Sequence, residues 1–310
     1  MSKKVIITGV NGFVGEHVVD AFRAEGFEVI GVGYDANPSE TIVHKVSSYI
    51  RCNLVDMESV AQIDFSDVWA IIHLAGLSNV GESFNKPLQY INDNTSMIYN
   101  LLEHARTHDF KGRTIVVSSG ALYDSQQPLP LTEDSRLLEN SPYAVGKLGV
   151  EHVANYYRLR GLDVVVVRPF NHIGPNQKKG FLVPDLFAQL QTAQQTNATS
   201  ISVGNLATRR DYTDVRDIAR AYRLIALADN LNYGLYNICT GRSLAGTDIL
   251  QSLQAAMGVL DIDPVIDGTK VRPTDIMEIY GDTSRLTSDT GWAPQIPIEQ
   301  TIHDFIQSQE

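Results

Sequence analysis

The strongest constraint on the fold lies near the start of the chain, where an apolar run, Val5-Ile6-Ile7, leads straight into Thr8-Gly9-Val10-Asn11-Gly12-Phe13-Val14-Gly15. Glycines spaced Gly-x-x-Gly-x-x-Gly between a strand and an amphipathic stretch fit a tight turn that opens a helix. At such a corner the unpaired backbone N–H groups and the helix dipole attract an anion, and the pyrophosphate of a dinucleotide is the expected occupant. A side chain at these glycines would obstruct the turn, the phosphate or the packing of helix on sheet. Val10 stands at the middle position of the commoner Gly-x-Gly-x-x-Gly pattern, so the spacing alone also suits an ordinary strand-turn-helix corner.

The rest of the first half repeats the alternation of short apolar runs with longer amphipathic segments that a parallel sheet covered by helices on both faces requires. Strands are predicted at Val5-Ile6-Ile7, Val29-Ile30, Ala70-Ile71-Ile72, Thr114 to Val117 and Val164 to Val167, and helices over Val14–Ala24, Asn94–His108 and Pro142–Arg158. The expected fold is therefore α/β: a Rossmann-type doubly wound parallel sheet over residues 1–168, with later segments near 211–238 returning to it. Residues 169–310, punctuated by Pro175, Pro184, Pro264, Pro273, Pro294 and Pro297, are read as mainly a smaller C-terminal α/β substrate-binding lobe.

Within the helix predicted from Pro142, Tyr143 and Lys147 are four residues apart and share one face. A phenol titrates near ~10 in water, so it can exchange a proton near neutrality only if a cation lowers that value. Lys147 is the expected cation. The strand ending at Val117-Ser118-Ser119 brings hydroxyls to the carboxyl edge of the sheet, where ligands of doubly wound folds bind. One such hydroxyl would hold a substrate oxygen while hydride moves at the adjacent carbon.

Charge and cysteine content narrow the function classes. A formal net charge of -11 with no Lys/Arg-rich run argues against a nucleic-acid partner. No stretch is long and apolar enough for a membrane partner to be expected. Cys52 and Cys239 are the only cysteines, which supports neither a disulfide framework nor a Cys-rich metal site. Met1-Ser2-Lys3-Lys4 runs directly into the first strand, so no cleavable signal and a cytoplasmic location are expected.

Taken together, Thr8-Gly-x-x-Gly-Phe-x-Gly15, His73-Leu74-Ala75-Gly76, Ser118-Ser119, Tyr143-x-x-x-Lys147 and Arg168-Pro169-Phe170-Asn171 resemble the extended short-chain dehydrogenases/reductases, or NAD-dependent epimerase/dehydratase family, over essentially the whole chain. Arg168 to Pro175, Val203 to Val215, Tyr236 to Gly241 and Thr290 to Pro297 are most similar to the branch of GDP-4-keto-6-deoxy-D-mannose reductases, which make GDP-D-rhamnose. The resemblance implies an NAD(P)-dependent enzyme acting on a small-molecule nucleotide-sugar, and a homodimer built through the helices at Asn94–His108 and Pro142–Arg158.

Residue by residue, the resemblance implies Ser119, Tyr143 and Lys147 as the catalytic group. Ser119 is favoured over Ser118 because Tyr123 follows it by four positions. Cofactor contacts are implied for Gly9, Asn11, Gly12, Phe13, Val14 and Gly15, for Asp35, Asn53 and Leu54, for Leu74, Ala75, Gly76 and Asn94, for Tyr143 and Lys147, and for Pro169. Substrate contacts are implied for Ser78, Ser118, Asn171, Val183, Arg210 and Arg272, with Asn171 and the two arginines at the sugar diphosphate. Arginine suits that task because its planar guanidinium makes bidentate phosphate contacts; Arg209 is adjacent and is not separated from Arg210 by sequence.

Departures from the family pattern carry information. In sugar 4,6-dehydratases the catalytic Ser/Thr is followed by acidic residues that eliminate water, whereas Gly120-Ala121 follows here, so dehydration is not expected. Leu122-Tyr123-Asp124 and Gly146 also differ without touching the proton path. His73 and His172 lack further ligands at suitable spacing and are read as structural, with no metal. The family's acid at the end of the second strand aligns with Gly33, leaving room for a 2′-phosphate. Yet Tyr34 to Glu40 contains no basic residue, and Asp35 could reach a ribose hydroxyl, which tilts the expectation to NAD(H) with NADP(H) accepted. Three readings stay open: a reductase of the C4 keto group of GDP-4-keto-6-deoxy-D-mannose, an epimerase with retained NAD, and a catalytically silent dinucleotide sensor.

Overall fold

The computed structural model describes residues 3–271 and 276–309. β1 (Lys4–Thr8) leads into α1 (Phe13–Arg23), β2 (Glu28–Gly33), β3 (Ser48–Arg51) and a single turn, α2 (Met57–Val60). β4 (Val68–His73) is followed by the turn α3 (Val80–Ser83), the long α4 (Pro87–Thr107), β5 (Arg113–Val117), α5 (Pro142–Leu159) and β6 (Val164–Pro169). Next come β7 (Asn171–Ile173), α6 (Leu182–Thr196), β8 (Ser200–Val203), β9 (Arg209–Arg210), β10 (Tyr212–Asp214), α7 (Val215–Leu227) and β11 (Leu235–Ile238). β12 (Leu244–Ala245), α8 (Gly246–Met257), β13 (Asp263–Ile266), β14 (Glu278–Ile279), α9 (Ser284–Thr290) and α10 (Ile298–Gln307) follow.

Seven strands form one sheet in the order β11-β6-β5-β4-β1-β2-β3, and every pairing in it is parallel. This is the doubly wound α/β arrangement read from the sequence, and the chain order reverses between β1 and β4, where a crevice opens at the carboxyl edge. Two strands beyond those predicted complete the sheet. β3 was missed because Ser48–Arg51 is half exposed and carries no apolar run; β11 lies within the segment expected to return to the sheet.

Each face is buried by its own helices. Val5, Ile7 and Ile72 pack with Val18, Val19 and Phe22 of α1 and Ile218, Tyr222 and Ile225 of α7, closed by Trp292. On the other face Ile6, Ile71 and Val116 meet Ile98, Leu101 and Leu102 of α4 and Val150, Ala154 and Tyr157 of α5. α4 starts seven residues before the predicted Asn94, because Pro87 sits in its first turn, a position that needs no N–H. A third core joins α6, α8 and α10 through Leu186, Leu190, Leu250, Leu253 and Phe305.

Candidate active site

The glycine turn is built as a cradle. Gly9 holds φ at +67°, and a Cβ there would lie 2.8 Å from the Ala75 backbone. A Cβ on Gly15 would lie 2.2 Å from the Val10 carbonyl oxygen, so α1 is pressed against the turn. Gly12 caps α1 without a side-chain bond, and the Phe13 and Val14 N–H groups have no partner among the described residues. Those donors at a helix N-terminus suit a diphosphate. Phe13 stacks on His172 of β7 at 6.0 Å between ring centroids.

Asn11 organises the outer end of the crevice. Its Nδ2 donates to Asp35 Oδ2 at 2.7 Å and to the Asn37 carbonyl at 3.1 Å, and its Oδ1 accepts from the Ser39 N–H at 2.9 Å. The space over Gly33 is bordered by Tyr49. The Tyr49 hydroxyl would lie 2.4 Å from a Cβ built there, and it donates to the Asp35 carbonyl at 2.9 Å. Asn53 is exposed just beyond β3, and Leu54 is buried with its carbonyl accepting from Asn100 at 2.9 Å.

At the crevice itself, Thr8 and His73 are joined at 2.9 Å, and the Ala75 N–H donates to the Thr8 hydroxyl at 3.3 Å. Burial, aided by the Lys147 charge, lowers the His73 pKa to about 3, so the ring stays neutral. Asn94 grips Leu77 from both sides, accepting from its N–H at 2.7 Å and donating to its carbonyl at 3.2 Å. That grip fixes the strip Leu74-Ala75-Gly76. The Lys147 ammonium donates to the Val117 carbonyl at 2.8 Å and would stand 3.4 Å from a Cβ on Gly76. Pro169 ends β6 opposite Ile238.

Tyr143 is buried beside Lys147, and the Ser119 hydroxyl is near enough to draw the pKa of its phenol downward. The direction of its pKa corrects the sequence expectation: burial raises it, and Ser119 only partly opposes that. Lys147 bears the larger effect, since burial lowers its pKa to about 8 against the opposing pull of Glu151. Glu151, one turn further along the face of Tyr143 and Lys147, is the residue sequence reasoning passed over. It pairs with Arg168 through Nε and Nη2 at 2.8 and 2.7 Å. It also accepts from Ser118 at 2.5 Å. The Ser118 hydroxyl, implied as a substrate contact, is buried and its proton is engaged by Glu151.

Of the other implied substrate residues, Ser78 is exposed in the loop between β4 and α3, and Asn171 is exposed as the first residue of β7. The Val183 side chain, in the first turn of α6, is fully buried in the core that joins α6, α8 and α10. The structure separates the neighbouring arginines of β9, which point to opposite faces of the strand. Arg209 is held by Ser243 and lies within 4.0 Å of both Asp248 and Glu278. Arg210 donates to the Ile276 carbonyl at 2.7 Å. Arg272 lies outside the described residues. A cavity of about 520 Å³ lined by Phe65, His104, His108 and Phe110 opens at the opposite edge of the sheet, before β4 and β5, away from this chemistry. Among the described residues no His/Cys/Asp/Glu group could hold a metal ion, and no helix is long and apolar enough to cross a membrane.

Sheet order and edge chemistry together put the chain among the extended short-chain dehydrogenases/reductases. The family model described as GDP-mannose 4,6 dehydratase matches residues 6–305, and the chain belongs to that family. GDP-6-deoxy-D-mannose reductase from Pseudomonas aeruginosa is 30% identical, covering 100% of this chain and 98% of that one. UDP-glucose 4-epimerase from Pisum sativum is 27% identical, covering 98% and 94%. The solved structure of RMD from Pseudomonas aeruginosa complexed with NADPH is 28% identical and superposes with a TM-score of 0.85 over 99% of this chain and 98% of that one.

Proposed function

We propose that this enzyme, a nucleotide-sugar oxidoreductase that uses NAD(H) or NADP(H), reduces the C4 keto group of GDP-4-keto-6-deoxy-D-mannose to give GDP-D-rhamnose. The observation that carries the reading is at Gly120, where a Cβ would fall 2.8 Å from the Phe170 ring. An acid therefore does not fit after Ser119 without moving Phe170, and Ala121 offers none, so the substrate arrives already dehydrated. The full-length similarity to a GDP-6-deoxy-D-mannose reductase supports the GDP-linked substrate.

The bound reduced nicotinamide supplies hydride to C4. Ser119 donates a hydrogen bond to the substrate oxygen, and Tyr143 gives that oxygen its proton. Lys147 holds the cofactor ribose and keeps positive charge beside the phenol. Gly9 to Gly15 receive the pyrophosphate, with Asp35, Asn53, Leu54, Leu74 to Gly76, Asn94 and Pro169 along the rest of the dinucleotide. Asn171, Ser78, Arg210 and Arg272 take the nucleotide-sugar. Residues 1–168 with 211–238 form the cofactor half in this scheme, and 169–310 mainly the sugar half. Epimerisation is the second reading, favoured by the similarity to UDP-glucose 4-epimerase; net oxidation of the cofactor during turnover separates the two.

The proposal extends to a cytoplasmic homodimer. Leu88 and Tyr99 of α4 and Val145, Tyr156 and Leu159 of α5 are exposed apolar groups on two helices packed side by side, a surface that a second copy would cover. A monomeric mass in solution would remove this part.

Two outcomes follow for the site. Because the buried Lys147 loses its proton as pH rises through about 8, kcat/KM for the reduced cofactor is expected to fall above that pH, and Lys147→Arg, if active, to move the fall upward. A profile level to pH ~10 would detach Lys147 from this role. In a thermal-shift series, GDP is expected to stabilise the protein by about 2.7 kcal/mol at a hundredfold excess over its Kd, and UDP, dTDP or CDP at the same concentration by less. Arg210→Ala should weaken that binding by roughly 1.5–3 kcal/mol. A series led by UDP or dTDP would reassign the base.

A further inference from the structure

The register of the outer strands brings a cation to the end of β2. Gly33, the last residue of β2, pairs with Arg51, the last residue of β3. Arg51 and Tyr49 are two residues apart on one strand and therefore share a face. Tyr49 packs against the core that α1 shares, so this face is the one that carries the glycine turn. The Arg51 side chain is exposed and makes no hydrogen bond or ion pair among the described residues. It is close enough to draw the Tyr49 hydroxyl downward in pKa, although burial and the Asp35 charge raise that group.

In doubly wound dinucleotide folds the end of the second strand meets the adenosine ribose. A carboxylate there bonds the 2′-hydroxyl, and an arginine nearby accommodates a 2′-phosphate. This chain has no acid at Gly33, and a Cβ there would come so close to the Tyr49 hydroxyl that Tyr49 would have to shift. Its nearest carboxylate, Asp35, is bound to the Asn11 amide at 2.7 Å. What the corner offers unengaged is a guanidinium, whose fork matches phosphate oxygens in pairs.

We propose that Arg51 binds the 2′-phosphate of NADP(H), so that the enzyme takes NADPH at least as tightly as NADH. This rests on the dinucleotide reading above and reverses the tilt to NAD(H) drawn from the loop after β2 alone. Asp35 then limits the preference by its charge without setting it.

Direct titration of NADPH and NADH, followed by the fluorescence of the reduced nicotinamide, tests this without turnover. Arg51→Ala is expected to weaken NADPH roughly 10- to 100-fold, the factor of one charge-assisted contact, and NADH by less than about twofold. Arg51→Lys should recover part of the loss, since it keeps the charge without the fork. Tighter binding of NADH than NADPH by the wild-type protein, or equal changes for both cofactors in Arg51→Ala, would overturn the proposal. Binding of neither cofactor by the wild-type protein would instead remove the dinucleotide reading, and the proposal with it.

Discussion

Tyr143→Phe is expected to lower turnover by about 10²–10⁴-fold, the contribution of a positioned proton donor, while leaving the affinity for reduced cofactor near that of the wild type. The expectation rests on how little else is arranged to do this work. The phenol is buried, and its raised pKa keeps its proton at neutral pH. His73 is held neutral and bonded to Thr8. Phenylalanine preserves the ring, so packing in the first turns of α5 is retained and only the proton is lost. Stopped-flow rates of cofactor oxidation with saturating substrate give the measurement; turnover within about threefold of wild type would take the proton path elsewhere.

The largest effect on stability is expected from Glu151→Ala. Glu151 and Arg168 have only 11% and 4% of their side chains exposed and are joined in a two-bond pair. Removing the carboxylate leaves the guanidinium buried with only Tyr123 Oη at 2.9 Å and the Glu133 carbonyl at 3.2 Å, and leaves Ser118 without its acceptor. Breaking a buried pair from one side costs about 3–5 kcal/mol. Urea unfolding followed by circular dichroism should show this as a lower midpoint at unchanged slope. A loss below about 1 kcal/mol would mean that water enters the network and that Glu151 is not structurally required.

How far the sequence could be read follows from the range of each interaction. The glycine turn, the five apolar strands and the Tyr143–Lys147 face depend on neighbours within a few residues, and local pattern is enough for them. Glu151 obeys the same four-residue spacing and was legible by following that face one turn further. Arg51 was not, because its position beside Gly33 exists only once β2 and β3 pair in register. The separation of Arg209 from Arg210 needed β12 and β14 on either side of β9 to fix which guanidinium meets Asp248 and Glu278. The burial of Ser118 and Val183 was not legible either, because pattern near a ligand-bearing strand does not report it.

The reaction itself is tested most directly by mixing the enzyme with GDP-4-keto-6-deoxy-D-mannose and reduced cofactor, following absorbance at the nicotinamide band, and resolving the sugar product by NMR. Stoichiometric cofactor oxidation with appearance of GDP-D-rhamnose is the expected result. Reduction to GDP-6-deoxy-D-talose would keep the reaction and invert the face presented to hydride. No oxidation with this compound, alongside interconversion of a UDP- or dTDP-sugar without net cofactor change, would contradict the reductase and leave an epimerase in its place.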